Sequence, residues 1–292
     1  MTQLLSQVAR ETPGGARAVQ RLSAALGVAR ATYYRRRRKT AVVHAGPVVV
    51  VRQALHEIAL EMPTYGHRPM TAELKRRGLL VGRDRVLRYM GEEDLLCRPR
   101  RSFVVTTDSR HDGKVFPNLA RELVVTQPDQ LWVADITYIR LLREFVYLAI
   151  LLDAFSRRVI GWALERHLMT ELTLQALQMA LATRTVKPGL MHHSDKGKQY
   201  CAAEYVSLLI KHQIRISMSR TGNPYDNAKA ERFMRTVKYE EVYLADYQSL
   251  TEARASIRRF IEEVYNRKRL HSALGYRPPA EFELLFSQPL LA

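Results

Sequence analysis

Hydrophobic positions along the chain fall into two regimes. Up to about residue 100 they recur at helical spacing; beyond residue 127 they first gather in continuous runs and later return to helical spacing. In the first regime Leu22, Ala25 and Leu26 share a helical face, and residues 26–34 continue as the turn and second helix of a small helix-turn-helix pattern, with Gly27 in the turn. Val50, Ala54, Ile58 and Leu60 predict another helix. Residues 65–69 predict a turn, and 70–77 a short helix ended by Gly78. Residues 82–90 predict a further helix, with Val86, Leu87 and Met90 inward and Arg83, Arg85 and Arg88 outward.

In the second regime residues 131–139, 144–153 and 158–164 read as strands. The apolar run 145–152 is of the kind found in a central strand. Their short connections predict an antiparallel meander. A helix follows over 170–183, along which lie Leu174, Leu177, Gln178 and Leu181, then a strand over 190–194, a helix over 203–212 and a strand over 214–218. Ala230, Phe233, Met234 and Val237 then recur at i, i+3, i+4 and i+7, one buried face of a late helix. Residues 251–265 predict a last helix packed through Ile257, Phe260, Ile261 and Val264. The predicted organisation is a basic helix-turn-helix-like segment (1–44), a second helix-turn-helix unit (45–101), a linker (102–126), a mixed α/β core with its C-terminal helix (127–285) and a tail (286–292).

Charge narrows the partners. The 292 residues carry a net charge of +17, which attracts polyanions, nucleic acid first among them. The run Arg35, Arg36, Arg37 and Arg38 suits phosphate contact without sequence readout. No apolar stretch is long enough to span a bilayer, and the start lacks the regions of a signal peptide. Cys97 and Cys201 are far apart and fit no metal-ligand spacing, so both are expected as reduced thiols in a cytoplasmic protein.

Three carboxylates stand out by context. Asp135 interrupts an otherwise apolar strand, where an acid is costly unless paired or bound to metal. Asp195 ends a short buried strand at a turn. Glu231 sits at the rim of the late helix's packed face, on one side with Asn227, Arg235 and Lys238. Asp226 and Asn227 read as caps of that helix, and Asn227 also stands where it can approach a substrate. Arg235 and Lys238 are expected to hold phosphates. Asp153 reads as a turn or strand-end residue with a possible supporting place near the site. His192 and His193 point to opposite faces of their strand, so they do not ligate one ion together. The Arg267–Arg269 cluster suits either DNA contact or the C-terminal end of a helix.

The blocks Trp132-Val133-Ala134-Asp135-Ile136-Thr137-Tyr138-Ile139, His193-Ser194-Asp195-Lys196-Gly197-Lys198-Gln199-Tyr200 and Gly222-Asn223-Pro224-Tyr225-Asp226-Asn227-Ala228-Lys229-Ala230-Glu231 resemble the three acidic blocks of bacterial insertion-sequence DDE transposases of the IS-three family, second-reading-frame products with a retroviral-integrase-like core. The resemblance covers most of the chain and includes the closing stretch 265–279. It implies a ribonuclease-H-like α/β fold, a mixed five-stranded sheet with helices, preceded by all-α helix-turn-helix units. It implies catalysis by Asp135, Asp195 and Glu231 around two Mg²⁺ ions, with Mn²⁺ as a substitute. The implied partners are double-stranded DNA, as element ends (terminal inverted repeats) and as target, a dimer or larger assembly on DNA, and an upstream-frame DNA-binding protein, fused or cooperating. Two other readings stay open at this point: an inert DNA-binding regulator of the element, and a ribonuclease-H-fold nuclease that cuts without joining.

Overall fold

The computed structural model describes residues 48–96, 115–220 and 227–287, together with Ala24. The basic 1–44 segment with Arg35 to Arg38, Cys97, the first part of the expected linker, the 221–226 stretch with Asp226, and the tail beyond 287 lie outside the described residues. Two compact units divide the chain, one holding residues 48–61 and 70–96 and the other residues 62–69 with the sheet and its helices.

The first unit holds α1 (Val48–Glu61), α2 (His67–Arg76) and α3 (Arg83–Glu92). α1 buries Val51, Ala54, Leu55 and Ile58, the i, i+3, i+4, i+7 face. Ala54 and Ile58 are buried as expected, whereas the two outer positions of the expected face are not: Val50 is 45% exposed and Leu60 84%. α2 begins earlier than its pattern suggests, because Pro69 falls in the first turn, where a missing N–H costs nothing. Gly78, at φ +83, supplies the left-handed exit. α3 buries Val86, Tyr89 and Met90, whereas Leu87, expected inward, is exposed. The buried Tyr89 ring lies against the guanidinium groups of Arg52 and Arg88, 5.0 and 5.4 Å from its centre. Arg52 also bridges Glu92 and Glu93. Arg83, Arg85 and Arg88 are exposed, as their spacing predicts.

The second unit is built on a five-stranded sheet in the order β3-β2-β1-β4-β5. β1 (Leu131–Arg140), β2 (Phe145–Asp153) and β3 (Val159–Glu165) form the antiparallel meander, while β4 (Met191–Ser194) and β5 (Arg215–Met218) join β1's other edge in parallel. Alternation along β1 divides the core in two. Leu131 and Val133 pack with Phe233, Met234, Val237, Ile257 and Ile261 on one face. Trp132 and Ala134 pack with Ala176, Leu177, Tyr205 and Leu209 on the other. The first face is covered by α6 (Ala228–Glu240) and α7 (Leu250–Arg259), the second by α4 (Thr170–Thr183) and α5 (Ala203–Lys211). A single helical turn, Lys198–Cys201, precedes α5, and α8 (Pro279–Ser287) closes the described chain. Order, pairing and layers are those of a ribonuclease-H-like integrase core.

Three local departures have physical reasons. α4 keeps its expected bounds but buries Leu172, Thr173, Ala176, Leu177 and Ala180, leaving Gln178 exposed and Leu174 and Leu181 at the margin. Small residues are needed there because Gly161 of β3 lies against the helix: a Cβ on it would stand 2.1 Å from the Ala176 carbonyl oxygen. α7 does not run unbroken to 265 but passes into a π turn at Phe260–Tyr265, marked by the Asn266 N–H donating to the Ile261 carbonyl at 3.0 Å. The extra residue moves burial from Val264, half-buried, to Tyr265. Finally, the end of the stretch read as linker lies along the core. The Leu119 and Ala120 N–H groups donate to Ser217 Oγ at 2.9 and 3.1 Å, and Met218 N–H to the Pro117 carbonyl at 3.3 Å.

Candidate active site

Asp135 lies at the middle of β1 on the face covered by α6. The parallel register of β1 and β4 pairs Val133 with His193, so continuing it by two residues brings Asp195 level with Asp135. Glu231 enters from the first turn of α6, whose packed face of Ala230, Phe233, Met234 and Val237 is as predicted. Three distant stretches thus bring their acids within electrostatic reach of Asp135. Asp135 feels the negative charge of both Asp195 and Glu231.

The electrostatics follow from that crowding. Burial, then the Asp195 carboxylate, push the Asp135 carboxyl up to about 8, against one N–H from Ile136 to its Oδ1 at 2.9 Å and the more remote charge of Lys238. Burial raises Glu231 as well, opposed by Arg235. Asp195 is oriented by its own turn: Gly197 N–H donates to its Oδ1 at 2.9 Å, and a Cβ on Gly197 would stand 3.0 Å from that same oxygen.

α6 is fastened to β1 beside the acid. The Asn227 side-chain amide donates to the Ala134 carbonyl at 2.9 Å. The expected helix cap is therefore corrected: Asn227 stands at the cap position but makes no side-chain cap bond, because its side chain is turned so that the NH2 reaches β1 and the Oδ1 that a cap would use accepts no hydrogen bond among the described residues. The residue is 6% exposed. Arg235 is exposed, and Lys238 lies half-buried with its ammonium 4.4 Å from the centre of the Tyr138 ring. Both are on Glu231's side of the helix.

Other expected residues sort differently. Asp153 serves the end of its strand: its Oδ1 accepts from the N–H groups of Phe155 and Ser156 and from Ser156 Oγ, and its Oδ2 from Asp129 N–H. His192 and His193 do face apart, to Tyr205 OH and Ser217 Oγ, each at 2.9 Å. Arg269 neither caps a helix nor stands open to DNA; it holds Glu240 of α6 through two bonds of 2.6 Å. Tyr200, buried and within the electrostatic reach of Asp195 and Asp135, is a neighbour of the site that hydrophobic patterning does not single out. Among the described residues its hydroxyl has no hydrogen-bond partner. Cys201 is a free, buried thiol.

Among the described residues no three His, Cys, Asp or Glu side chains are gathered closely enough to count as a metal-holding group. The donor chemistry nevertheless fits a hard divalent cation: carboxylate oxygens only, from three elements, one of them poorly hydrogen-bonded inside the protein. Among the described residues no helix is long and apolar enough to cross a membrane.

Comparison with known proteins bears on this geometry. Residues 125–224 and 212–279 match two integrase core domain families, and residues 50–103 match an HTH-like domain family. The chain is 41% identical over 226 residues to the insertion element IS600 uncharacterized 31 kDa protein of Shigella sonnei, covering 77% of this chain and 83% of that one. It is 34% identical over 220 residues to the transposase for insertion sequence element IS904 of Lactococcus lactis, covering 75% and 87%. It is 36% identical over 220 residues to the transposase InsF for insertion sequence IS3A of Escherichia coli, covering 75% and 76%. Among solved structures, the HTLV-2 integrase catalytic core domain in complex with magnesium aligns at a TM-score of 0.42 and 15% identity, over 54% of this chain and 97% of that one.

Proposed function

Because this chain belongs to the IS-three family of insertion-sequence DDE transposases, we propose that Asp135, Asp195 and Glu231 are its catalytic carboxylates. The activity is DNA transposition, by cleavage at the ends of an element and strand transfer. In cleavage a hydroxyl oxygen attacks phosphorus and a new P–O bond forms. The bond to the 3′ oxygen breaks, and that oxygen leaves with the electron pair and takes a proton. In strand transfer the freed 3′-hydroxyl attacks a second phosphodiester in the same way. Neither step needs an oxidant or a covalent enzyme intermediate.

The three acids would hold Mg²⁺ or Mn²⁺, which when bound supplies an activated attacking oxygen and charge neutralisation at the leaving one. The observation that supports this reading is that the charges of both Asp195 and Glu231 act on the half-buried Asp135. Asn227 holds the helix that carries Glu231 against the strand that carries Asp135. Arg235 and Lys238 bind the phosphates of the strand being cut. Arg83, Arg85 and Arg88, exposed on α3, bind the duplex of the element end through the major groove, and the basic run Arg35 to Arg38 adds phosphate contacts. Bringing two ends together calls for at least two copies on DNA, with the upstream-frame protein fused or cooperating. The protein acts in the cytoplasm, in keeping with a free buried thiol at Cys201.

The test is Asp195→Asn, assayed on labelled element ends with Mg²⁺ and scored for nicked and joined products. Binding should persist while cleavage and joining vanish; normal cleavage would remove Asp195 from the mechanism.

A further inference from the structure

α6 has a second charged flank. Asn227, Glu231, Arg235 and Lys238 lie to one side of its packed face; Lys229 and Arg232 lie to the other. Arg157, in the turn between β2 and β3, is near enough to both for like charges to repel. Arg157 and Lys229 are half-buried. Arg157 also sits at φ +64, a left-handed conformation that an arginine adopts at a cost. His271 closes the group from the loop after the π turn. Burial, then Arg269, Arg157 and Arg232, press its pKa down to about 3, so it adds no charge. Tyr265 forms the floor, with ring centres 4.8 Å from Phe233 and 4.9 Å from His271.

Arg157 and Lys229 share a single attracting carboxylate. Asp153, the carboxylate that attracts Arg157 and Lys229, already accepts four hydrogen bonds from the turn. Arg269 is matched to Glu240. Among the described residues Arg157, Lys229 and Arg232 form no ion pair, whereas Arg158, in the same turn, pairs with Glu283. Gathering two half-buried cations beside the exposed Arg232 without ion-pair partners is unfavourable, so the arrangement is one that an incoming anion stabilises.

We propose that Arg157, Lys229 and Arg232 form a cradle for a backbone phosphate of DNA on the flank of α6 opposite Glu231. This rests on the transposase reading, which supplies the polyanion. An α-helix is about 10 Å across, so the cradle stands roughly one helix width from the carboxylates. A phosphate held there positions the duplex and does not react.

Phosphate contacts are sequence-independent, so a random-sequence duplex is a sufficient probe. Affinity is measured against salt for the wild type, Lys229→Gln/Arg232→Gln and Arg157→Asn, asparagine being a residue that tolerates the left-handed backbone. Arg258→Gln/Arg259→Gln removes two exposed charges from α7 as the control. The slope of log K against log salt should become shallower by about 0.9 in each cradle variant, the value for one phosphate, and should not change in the control. Wild-type slopes in the cradle variants, or an equal change in the control, overturn the proposal. So does stoichiometric binding of inorganic phosphate by the wild type combined with unaltered DNA slopes in the variants, which would mark a free-anion site. Asp195→Asn should keep the wild-type slope; cleavage by that variant sinks the catalytic reading and leaves the slope comparison readable.

Discussion

The side-chain amide of Asn227 donates to the backbone carbonyl of Ala134 at 2.9 Å, so the helix bearing Glu231 is tied to β1 at the residue before Asp135. Asn227→Ala removes one buried hydrogen bond and leaves the carbonyl unpaired, a loss of about 1–3 kcal/mol in stability by urea unfolding. Cleavage should fall further than stability implies, by roughly 10²-fold, since a displacement near 1 Å has that effect on a positioned group. Duplex affinity should hardly move. A loss of affinity equal to the loss of cleavage would mark Asn227 as a substrate contact and not as the tie.

The raised pKa of Asp135 fixes the sign of a pH effect. Its ordinary value is 3.8 and its folded value about 8, so between those limits the unfolded chain has lost a proton that the folded chain keeps. The contribution of Asp135 to the stability of the metal-free protein should therefore fall as pH rises from about 4 to 8. Asp135→Asn cannot ionise, so relative to the wild type it should be more stable at pH 7.5 than at pH 4.5 when unfolding is followed in chelator. Added Mg²⁺ should restore the wild type at high pH, because the cation competes with that proton. Parallel profiles for the two proteins would contradict this account of Asp135.

Gly161 is where β3 and α4 come closest, with the Ala176 carbonyl 2.1 Å and the Ala180 nitrogen 3.0 Å from the position of an added Cβ. Both are backbone atoms and neither can swing aside. Gly161→Ala should cost about 2–3 kcal/mol through overpacking, a fall in Tm of roughly 5–10 °C. An unchanged melting curve would show that α4 can slide outward without loss.

Where a single physical cause governs a stretch, the sequence is easily read. Ala230, Phe233, Met234 and Val237 are buried as their period requires, and the α4 bounds coincide with those expected. Inward faces are less legible where two causes compete. In α4 the strongest apolar residues, Leu174 and Leu181, lie at the margin, because closeness to Gly161 selects alanines for the centre. In α3 Tyr89 displaces Leu87, since two guanidinium groups let a tyrosine bury its ring. In α7 the π turn breaks the period one residue before Tyr265, and no local signal announces it. For the site, the three acids are conspicuous as charges in apolar or turn contexts, whereas the Asn227 tie, the Arg269–Glu240 pair and the Arg157 group join residues too far apart in sequence for any pattern to reveal.

Both outer rims of the sheet are capped at particular points by the chain itself. On β3, Asn266 meets the Val159 N–H and carbonyl at 3.0 and 2.9 Å, and Arg254 meets the Leu164 carbonyl at 2.7 Å. On β5, the Pro117 carbonyl takes the Met218 N–H. Strand-by-strand zippering of neighbouring copies is thereby blocked at these points.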